Sequence, residues 1–317
     1  MNITNSTLPV HPEMAIYPTF SRELWYWLAR GIIAIITIFG NGLVIYLISS
    51  RVVLREQPSP NWFVLSMAVA DFCVGFINFP LNIYFAFTLL PSVKDPGEQW
   101  AVLSLVQNVS FNASVTNLVL LTLDRYLAVV HPFTYESFMT AKRVLWLIIL
   151  AWGVATLMEI PYLVLDLQGR AGTDPNDYLV MLVIYSVVLV FLPSFFMIYA
   201  YGRIICVARR HKQKIKEHEK QLASNSSIRR GKMAHSGNKN GAMVTVGTLV
   251  LIFVLSNLVT EYRCLCYLIP SCFESIQAAY VFLFLRNLNS APNFIVYAFM
   301  KQDFRRELRK TIRRTFR

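Results

Sequence analysis

The sequence predicts an all-α membrane protein, a bundle of seven transmembrane helices followed by a short amphipathic eighth helix. The first observation is composition, because 55% of the 317 residues are hydrophobic and only 15% are charged, whereas soluble domains carry about a quarter charged residues. The second is that seven apolar stretches reach the roughly 20 residues needed to cross the hydrocarbon core. Such segments must satisfy their own backbone hydrogen bonds in lipid, so we expect helices.

The seven stretches divide the chain into three regions. Residues 1–23 form an N-terminal segment, residues 24–299 form the bundle, and residues 300–317 form a cytoplasmic helix and tail. The predicted spans are, in order, Leu24–Ser50, Trp62–Leu90, Trp100–Val130, Val144–Leu165, Tyr178–Val207, Ala242–Ile269 and Ile276–Phe299.

The third observation is the distribution of basic residues, which predicts the orientation. When the N-terminus is placed outside the cell, 24 of the 30 Lys and Arg residues fall on the cytoplasmic side, as expected for short loops. Asn2 and Asn5 each begin a glycosylation acceptor pattern, which agrees with an N-terminus in the lumen. We therefore expect a multi-pass protein of the cell membrane with an extracellular N-terminus. The net charge of +12 follows from this topology, and we expect no nucleic-acid partner.

Two basic segments flank the last spans on the cytoplasmic side. Arg203–Gln221 is interpreted as a helical extension of the fifth span. In the tail, Phe304, Leu308 and Ile312 recur every four residues with bases between them, which indicates an amphipathic helix on the membrane surface. Such a helix would be attracted to anionic membrane lipids. The alternative is a frayed basic tail.

Several polar residues within the spans share one depth. Asp71 lies about ten residues up the second span, Ser114 lies ten residues above Asp124, and Asn289 lies ten residues above Phe299. Each distance is about 15 Å along a helix, and Asn41 reaches nearly the same depth. An unpaired ionised Asp71 is too costly there. The sequence leaves open a bound monovalent cation, a water cluster, a protonated Asp71, or a hydrogen-bond network without an ion.

A second polar cluster is predicted in the outer third of the bundle. Glu261 with Arg286 could form a buried ion pair between the sixth and seventh spans, or both could line a ligand cavity, since helical bundles hold ligands between their helices. The candidate cavity residues are Gln107, Asn108, Phe111, Glu159, Asn257, Glu261, Arg286 and Asn287.

The remaining residues argue against an enzyme. All five His residues lie outside the spans or at their ends, and neither a Walker A loop nor a G-x-S-x-G pattern is present. Asp71 and Asp124 lie at different depths, so they cannot form a carboxylate dyad. Three Cys residues cluster near the outer end of the sixth span. A disulfide is expected on this oxidising side, and we assign it to Cys266 and Cys272, although Cys264 leaves other pairings open.

The cytoplasmic end of the third span carries a specific motif. The run Asp124-Arg125-Tyr126-Leu-Ala-Val-Val-His-Pro132 resembles the signature of rhodopsin-like (class A) G-protein-coupled receptors. The resemblance extends through nearly the whole chain, and the first, second, fourth, fifth and seventh spans carry further matches. These are Gly40-Asn41, Ser66 to Asp71, Trp152, Pro193 with Tyr201, Asn289-Ser290-Ala291 and Asn293 with Tyr297, and Phe304 opens the eighth helix.

The resemblance implies roles for these residues. Asp124 would hold Arg125 in the resting state, and activation would release Arg125 toward a heterotrimeric G protein, with Tyr201 and Tyr297 as hydrogen-bonding partners. Tyr126 and the segment up to Tyr135 would belong to the docking face. Asp71, Ser114, Asn289 and Asn293 would form an allosteric sodium site, and no other cofactor is expected.

Several positions depart from the family pattern. Trp100 replaces the Cys that would tie the third helix to an extracellular loop. Asn257 and Val259 replace a Trp and a Pro of the sixth helix, and Phe294 replaces the Pro after Asn293. Lys239 stands in the region where an acid often contacts the Arg of the third helix. The outer half of the bundle therefore does not identify the ligand.

The sequence thus predicts a receptor that couples an extracellular or lipid-borne ligand to a heterotrimeric G protein. The alternative is a receptor-like protein that signals constitutively or does not respond to ligand. The departures at Asn257, Val259 and Lys239 motivate this alternative.

Overall fold

The computed structural model describes residues 23–55, 58–89, 97–168, 175–225, 250–259, 261–262, 276–295 and 302–315. All regular secondary structure in these ranges is helical, and the protein is an all-α membrane bundle. The sixth span is described by the apolar helix Val250–Val259 and the seventh by Ile276–Leu288. Five helices within the described ranges are long and apolar enough to cross a membrane: Leu24–Ser50, Asn61–Leu89, Glu98–Val130, Ala141–Leu167 and Leu179–His218.

The first span shows how each helix divides between the bundle and its surroundings. Its inner face buries the small Gly40, the polar Asn41 and Val44. Its outer face exposes large apolar side chains, and Phe39 is 75% exposed. An exposed apolar surface of this extent is suited to lipid rather than to water.

The third span lies at the centre of the bundle. Its helix, Gly97–Val130, contacts the second, fourth and fifth spans. The main apolar core joins Val44, Met67, Leu121 and Phe253, which come from four different spans. The third span therefore positions polar side chains between most of the other helices.

Prolines shape the second and fifth spans. The π-helical turn Val74–Asn78 precedes Pro80, and the turn Ser186–Phe191 precedes Pro193. A proline cannot donate to the carbonyl four residues earlier and its ring crowds that carbonyl, and the looser π turn accommodates this locally. Beyond Pro193 the helix Leu192–Asn225 is unbroken, and it contains the predicted extension Arg203–Gln221.

The fourth span differs from the continuous helix that the sequence predicted. It consists of Ala141–Leu157 and Ile160–Leu167, with a turn at Met158 and Glu159. The break has a local cause, because Pro161 lacks the amide hydrogen that would bond to Leu157. The turn places Glu159 at a helix end, with its side chain buried in the bundle.

The seventh span also departs from the predicted helix Ile276–Phe299. Its helix ends at Leu288 and is followed by a turn over 289–292. The amide of Ala291 donates to the carbonyl of Leu288 at 3.2 Å. This hydrogen bond spans three residues, whereas that of an α-helix spans four. Pro292 explains the break, since the residue before a proline disfavours helical dihedrals. Helix resumes at 293–295.

The amphipathic helix is present over Gln302–Thr315. Phe304 is buried in the main core, and Leu308 packs against the same core. Arg51, just after the first span, donates to the hydroxyl of Thr311 at 3.0 Å and lies 3.9 Å from the carboxylate of Glu307. These contacts attach the helix to the C-terminal end of the first span.

Five predicted site residues and one departure from the family pattern lie outside the described residues. They are Asn2, Asn5, Lys239, Cys266, Cys272 and Tyr297.

Candidate functional site

The C-terminal end of the third span holds an ion pair between a buried carboxylate and a partly exposed guanidinium. The guanidinium of Arg125 lies 3.5 Å from the carboxylate of Asp124, whose side chain is fully buried. Tyr135 donates its hydroxyl to the other carboxylate oxygen at 2.9 Å. Tyr135 therefore anchors Asp124 to the short helix Pro132–Phe138 that follows the span.

Two further tyrosines border this ion pair. Tyr201 of the fifth span is buried in the core, close enough for its hydroxyl to interact electrostatically with Arg125. The ring of Tyr126 lies 6.1 Å from that of Tyr199. This end of the bundle thus joins the third and fifth spans around Arg125. The remaining predicted partner, Tyr297, lies outside the described residues.

A polar layer at mid-depth centres on Asp71, whose side chain is fully buried. Ser114 donates to one carboxylate oxygen at 2.6 Å, and Asn293 donates to the other at 2.8 Å. Three spans therefore meet at one carboxylate. Charge-assisted hydrogen bonds of this length stabilise the ionised form.

Asn41 and Asn289 lie at the margins of this layer. The amide of Asn41 donates to the carbonyl of Thr37 at 3.0 Å and approaches that of Ser290 at 3.5 Å. Asn289 lies in the turn of the seventh span and faces the outer cavity. Asn289 and Asn293 are four residues apart, and both lie on the inner side of the seventh span, one in the cavity wall and one bonded to Asp71.

The outer half of the bundle encloses a cavity of about 210 Å³. Its walls come from the third to the seventh spans. Of the predicted cavity residues, the wall contains Asn108, Phe111, Glu159, Asn257, Glu261 and Arg286.

Glu159 is held by two amides of the third span. Asn108 donates to one carboxylate oxygen at 3.0 Å, and Asn112 donates to the other at 2.7 Å. Tyr185 of the fifth span in turn donates to the side-chain oxygen of Asn112 at 2.8 Å. This network joins three spans and gives both oxygens of the buried carboxylate a donor, as a buried charge requires.

Arg286 completes the network from the seventh span. Its guanidinium donates to the side-chain oxygen of Asn108 and lies 4.4 Å from the centre of the Phe111 ring, within cation–π range. The amide of Asn108 therefore bridges Arg286 and Glu159. The sequence left open whether Glu261 and Arg286 form an ion pair or line a cavity. Within the described ranges they form no ion pair with each other, and both line the cavity.

Gln107 and Asn287 lie outside the cavity wall. Gln107 belongs to the side of the third span that faces the second, where Asn78 donates to its backbone carbonyl at 3.3 Å. The seventh span contributes Arg286, Asn289 and Ser290 to the wall instead of Asn287. The sequence located the depth of these residues but not the rotation of their helices.

The floor of the cavity reaches the mid-depth layer. Ser114, Asn289 and Ser290 line the same cavity as the outer residues, and Ser114 is also a hydrogen-bond donor to Asp71. Asn257 stands where the family usually has a Trp. Its side-chain amide donates to the carbonyl of Phe253 at 2.8 Å, within its own helix. Because Asn is smaller than Trp, the outer cavity and the mid-depth layer around Asp71 are continuous.

Some wall residues were not predicted as part of the site. Tyr162 and Tyr185 line the cavity, and Ser186 hydrogen-bonds to Glu261. The spacing of Tyr185 and Ser186 before Pro193 places them about two turns away on the fifth span, a signal that could have indicated them.

Trp100 takes a packing role at the outer end of the third span. Its ring lies 4.8 Å from that of Phe85 in the second span and belongs to an aromatic cluster with Tyr26, Trp27 and Tyr280. Aromatic pairs at this distance stabilise by about 0.5–1.5 kcal/mol beyond their burial. This cluster holds the outer ends of the first, second, third and seventh spans together.

Comparison with known proteins gives one family. Residues 40–297 match the model of the 7 transmembrane receptor (rhodopsin family). The chain is 28% identical to Trace amine-associated receptor 7e of Mus musculus, over 95% of this chain and 83% of that protein. It is also 28% identical to 5-hydroxytryptamine receptor 6 of Mus musculus, over 90% and 70% respectively.

A third relative is matched over a shorter region. The chain is 32% identical to Dopamine receptor 2 of Drosophila melanogaster over 59% of this chain. It spans 35% of the length of that receptor, and 20% to 25% of two further receptors of the same fly.

Proposed function

Since the chain belongs to the rhodopsin family of seven-transmembrane receptors, we propose that it is a G-protein-coupled receptor of the plasma membrane. A small molecule from outside the cell or from the bilayer would bind in the outer cavity. The cytoplasmic surface around Arg125 would bind a heterotrimeric G protein.

The observation that carries this proposal is the arrangement around Arg125. The residue is held by a carboxylate that is itself fixed by Tyr135, and it lies beside the buried Tyr201. Separating a buried carboxylate from its cation is costly unless new partners replace the old ones. A G protein that supplies such a partner would therefore favour a state in which Arg125 has left Asp124.

The coupling follows from two states of one bundle. A ligand can shift the equilibrium only by its difference in affinity for the two states. The outer cavity is lined by five spans, so a rearrangement of the fifth, sixth or seventh span changes its shape. The same rearrangement would open the cytoplasmic surface near Arg125 and Tyr201.

The relatives support a small-molecule ligand. They are named for dopamine, 5-hydroxytryptamine and trace amines. We extend only the size class to this chain, because Gln107 stands where an amine receptor generally has an Asp.

A second candidate is a receptor that signals without ligand. Asn257 and Val259 replace the residues that usually form the switch of the sixth helix. Asn257 bonds within its own helix and leaves the cavity floor open, so the inactive state would lack a bulky contact that ligand displaces. The family and the docking surface are the same under both candidates.

Reconstitution with G protein would separate these functions. The receptor is expressed in cells, and nucleotide exchange on a set of G proteins is measured with and without a small-molecule library. We expect activity that Arg125→Ala abolishes and that Lys142→Ala, an exposed base on the same side, retains. High activity without ligand that is lost in Arg125→Ala favours the second candidate. Absence of exchange under every condition would refute both.

We also propose a sodium ion at Asp71. Ser114 and Asn293 contact the two carboxylate oxygens, and Asn289 lies close by in the cavity wall. Carboxylate, hydroxyl and amide oxygens are the ligands that hard cations prefer. Bound sodium would supply the positive charge that this buried carboxylate lacks among the described residues, and it would favour the bundle state in which the three spans converge.

Membrane contacts and orientation complete the proposal. The N-terminus would be extracellular, which places the amphipathic helix Gln302–Thr315 in the cytoplasm. Its polar face carries bases such as Arg305, Arg306 and Arg309. These would lie near anionic lipid headgroups, each base contributing about 1 kcal/mol.

A further inference from the structure

Glu261 is a buried carboxylate in the wall of the outer cavity. The residue is only 5% exposed, and it contributes to the cavity wall from the sixth span. The hydroxyl of Ser186 is its hydrogen-bond partner. Within the described ranges no Lys or Arg forms an ion pair with Glu261. A carboxylate removed from water requires a compensating positive charge or a proton.

The other charges of the inner wall already compensate one another. Glu159 receives hydrogen bonds from Asn108 and Asn112 on both oxygens. Arg286 is bound to the opposite end of the Asn108 amide, so one neutral side chain links this acid to this base. The pair balances in charge, and among the described residues no cation is paired with Glu261.

Asp166 is a further acid of the cavity wall, near the outer end of the fourth span, and it has an interaction partner of its own. The acids of the wall are therefore Glu159, Asp166 and Glu261, against the single base Arg286 among the described residues. A negatively charged ligand would meet an excess of like charge, whereas a cation would reduce it.

The size and surface of the cavity restrict the ligand further. A volume of about 210 Å³ lies below the roughly 300–1,000 Å³ of pockets for drug-sized molecules, which indicates a compact ligand. Phe111, Tyr162 and Tyr185 contribute aromatic rings to the wall. Aromatic faces attract organic cations, and they also pack against an apolar ligand body.

We propose that the outer cavity binds a compact organic cation, such as a protonated amine, with Glu261 as its counter-ion. This inference rests on the proposed receptor function and adds the chemical class of the ligand. The counter-ion lies on the sixth span, so binding draws the sixth span toward the ligand. The Arg286–Asn108–Glu159 network forms another, charge-balanced part of the wall.

The test compares four probes that share a phenylalkyl body and differ in charge. They are 2-phenylethylamine, its N-acetyl derivative, 3-phenylpropionate and phenylalanine. Binding to the purified full-length receptor is measured as a shift in Tm. We expect 2-phenylethylamine to raise the Tm, and the neutral and anionic probes to leave it unchanged.

Three variants assign the effect to Glu261. In Glu261→Gln the amine should lose at least about tenfold in affinity, since a buried charge has lost its partner. Glu98→Gln, which removes the same charge from an exposed site at the outer end of the third span, should bind as the wild type. If Glu261→Gln does not fold, Glu261→Asp serves instead. It keeps the negative charge on a side chain that is one methylene shorter, so it should also weaken amine binding.

Several outcomes would overturn the proposal. These are equal shifts with the acetylated or anionic probe, a larger shift with phenylalanine than with the amine, no shift with any probe, or amine binding that persists in Glu261→Gln. Because the measurement uses no G protein, failure here leaves the Arg125→Ala experiment unaffected. Conversely, loss of G-protein activation would not alter the Tm shifts.

Discussion

Asp71 is the residue at which three spans are joined by side-chain hydrogen bonds. If sodium binds there, the ion stabilises the folded state by mass action, by about 1.4 kcal/mol when sodium is at ten times its Kd. We predict that the Tm of the purified receptor rises with sodium chloride relative to equimolar potassium chloride. Asp71→Asn should remove this rise.

A control is needed, because the substitution also changes net charge. Glu98→Gln changes charge at an exposed position and should keep the sodium response. Equal sodium curves for the wild type and Asp71→Asn would exclude the ion and leave the hydrogen-bond network, water or a protonated Asp71 as explanations.

The depth of these polar residues could be read from the sequence, but their contacts could not. Counting from the helix ends grouped Asp71, Ser114 and Asn289 in one layer, and the structure joins the first two directly. Asn293, which only the family resemblance indicated, is the seventh-span residue that bonds Asp71. The turn over 289–292 changes the direction of the chain before Asn293. Counting residues along a regular helix does not include such a turn.

At the level of elements, Phe294 and Gly40 form a close contact between the seventh and first spans. A Cβ added at Gly40 would overlap the ring of Phe294. We predict that Gly40→Ala destabilises the receptor by about 1–3 kcal/mol, the usual cost of overpacking. Thermal unfolding would measure this effect, and Phe294→Ala in the same chain should relieve much of it.

Gly153 provides the matched control for this prediction. Nothing lies within 4 Å of a Cβ added there, so Gly153→Ala should be neutral or should stabilise by about 0.5–1 kcal/mol through helix propensity. If the changes in the free energy of unfolding caused by Gly40→Ala and Phe294→Ala add up in the double variant, the contact between the two residues does not cause the loss of stability.

Glu307 is one of the residues that connect the amphipathic helix to the first span. A hydrogen bond from Lys310, with the charges of Arg51 and Arg306, lowers the pKa of the Glu307 carboxyl below its ordinary 4.5. The contribution of Glu307 to stability is thus complete above pH 4.5 and is lost as the pH falls through the lowered pKa. The helix should loosen in that acidic window.

Hydrogen–deuterium exchange of residues 302–315 measures this attachment. We predict faster exchange in Glu307→Gln at neutral pH, and no further loosening on acidification after correction for intrinsic rates. Glu217→Gln, an exposed site on the cytoplasmic end of the fifth span, should behave as the wild type. Unchanged exchange in Glu307→Gln would show that Phe304 packing alone holds the helix.

For the whole molecule, the assignment of 24 of the 30 basic residues to one side predicts that the N-terminus lies in the lumen. An N-terminus in the lumen becomes a substrate for N-glycosylation. We predict that enzymatic deglycosylation increases the gel mobility of the receptor expressed in animal cells. The combined Asn2→Gln and Asn5→Gln substitutions should abolish this shift. An N-terminal epitope that antibodies reach only after permeabilisation would contradict the orientation.

The sequence by itself determined the all-α membrane class, the approximate positions of the spans, and the motif around Arg125. These follow from hydropathy, charge and local spacing, which each segment carries independently of the others. The helix breaks at Glu159 and after Leu288 were missed, although Pro161 and Pro292 signal both.

Only the tertiary structure decided which charges compensate one another in the outer cavity. Glu159 pairs with amides about 50 positions earlier, Arg286 bonds to Asn108 178 positions away, and Glu261 is left without a base among the described residues. Such contacts depend on how each helix is rotated about its axis. That rotation is set by packing between spans, here around the third span, and no local pattern in the sequence specifies it.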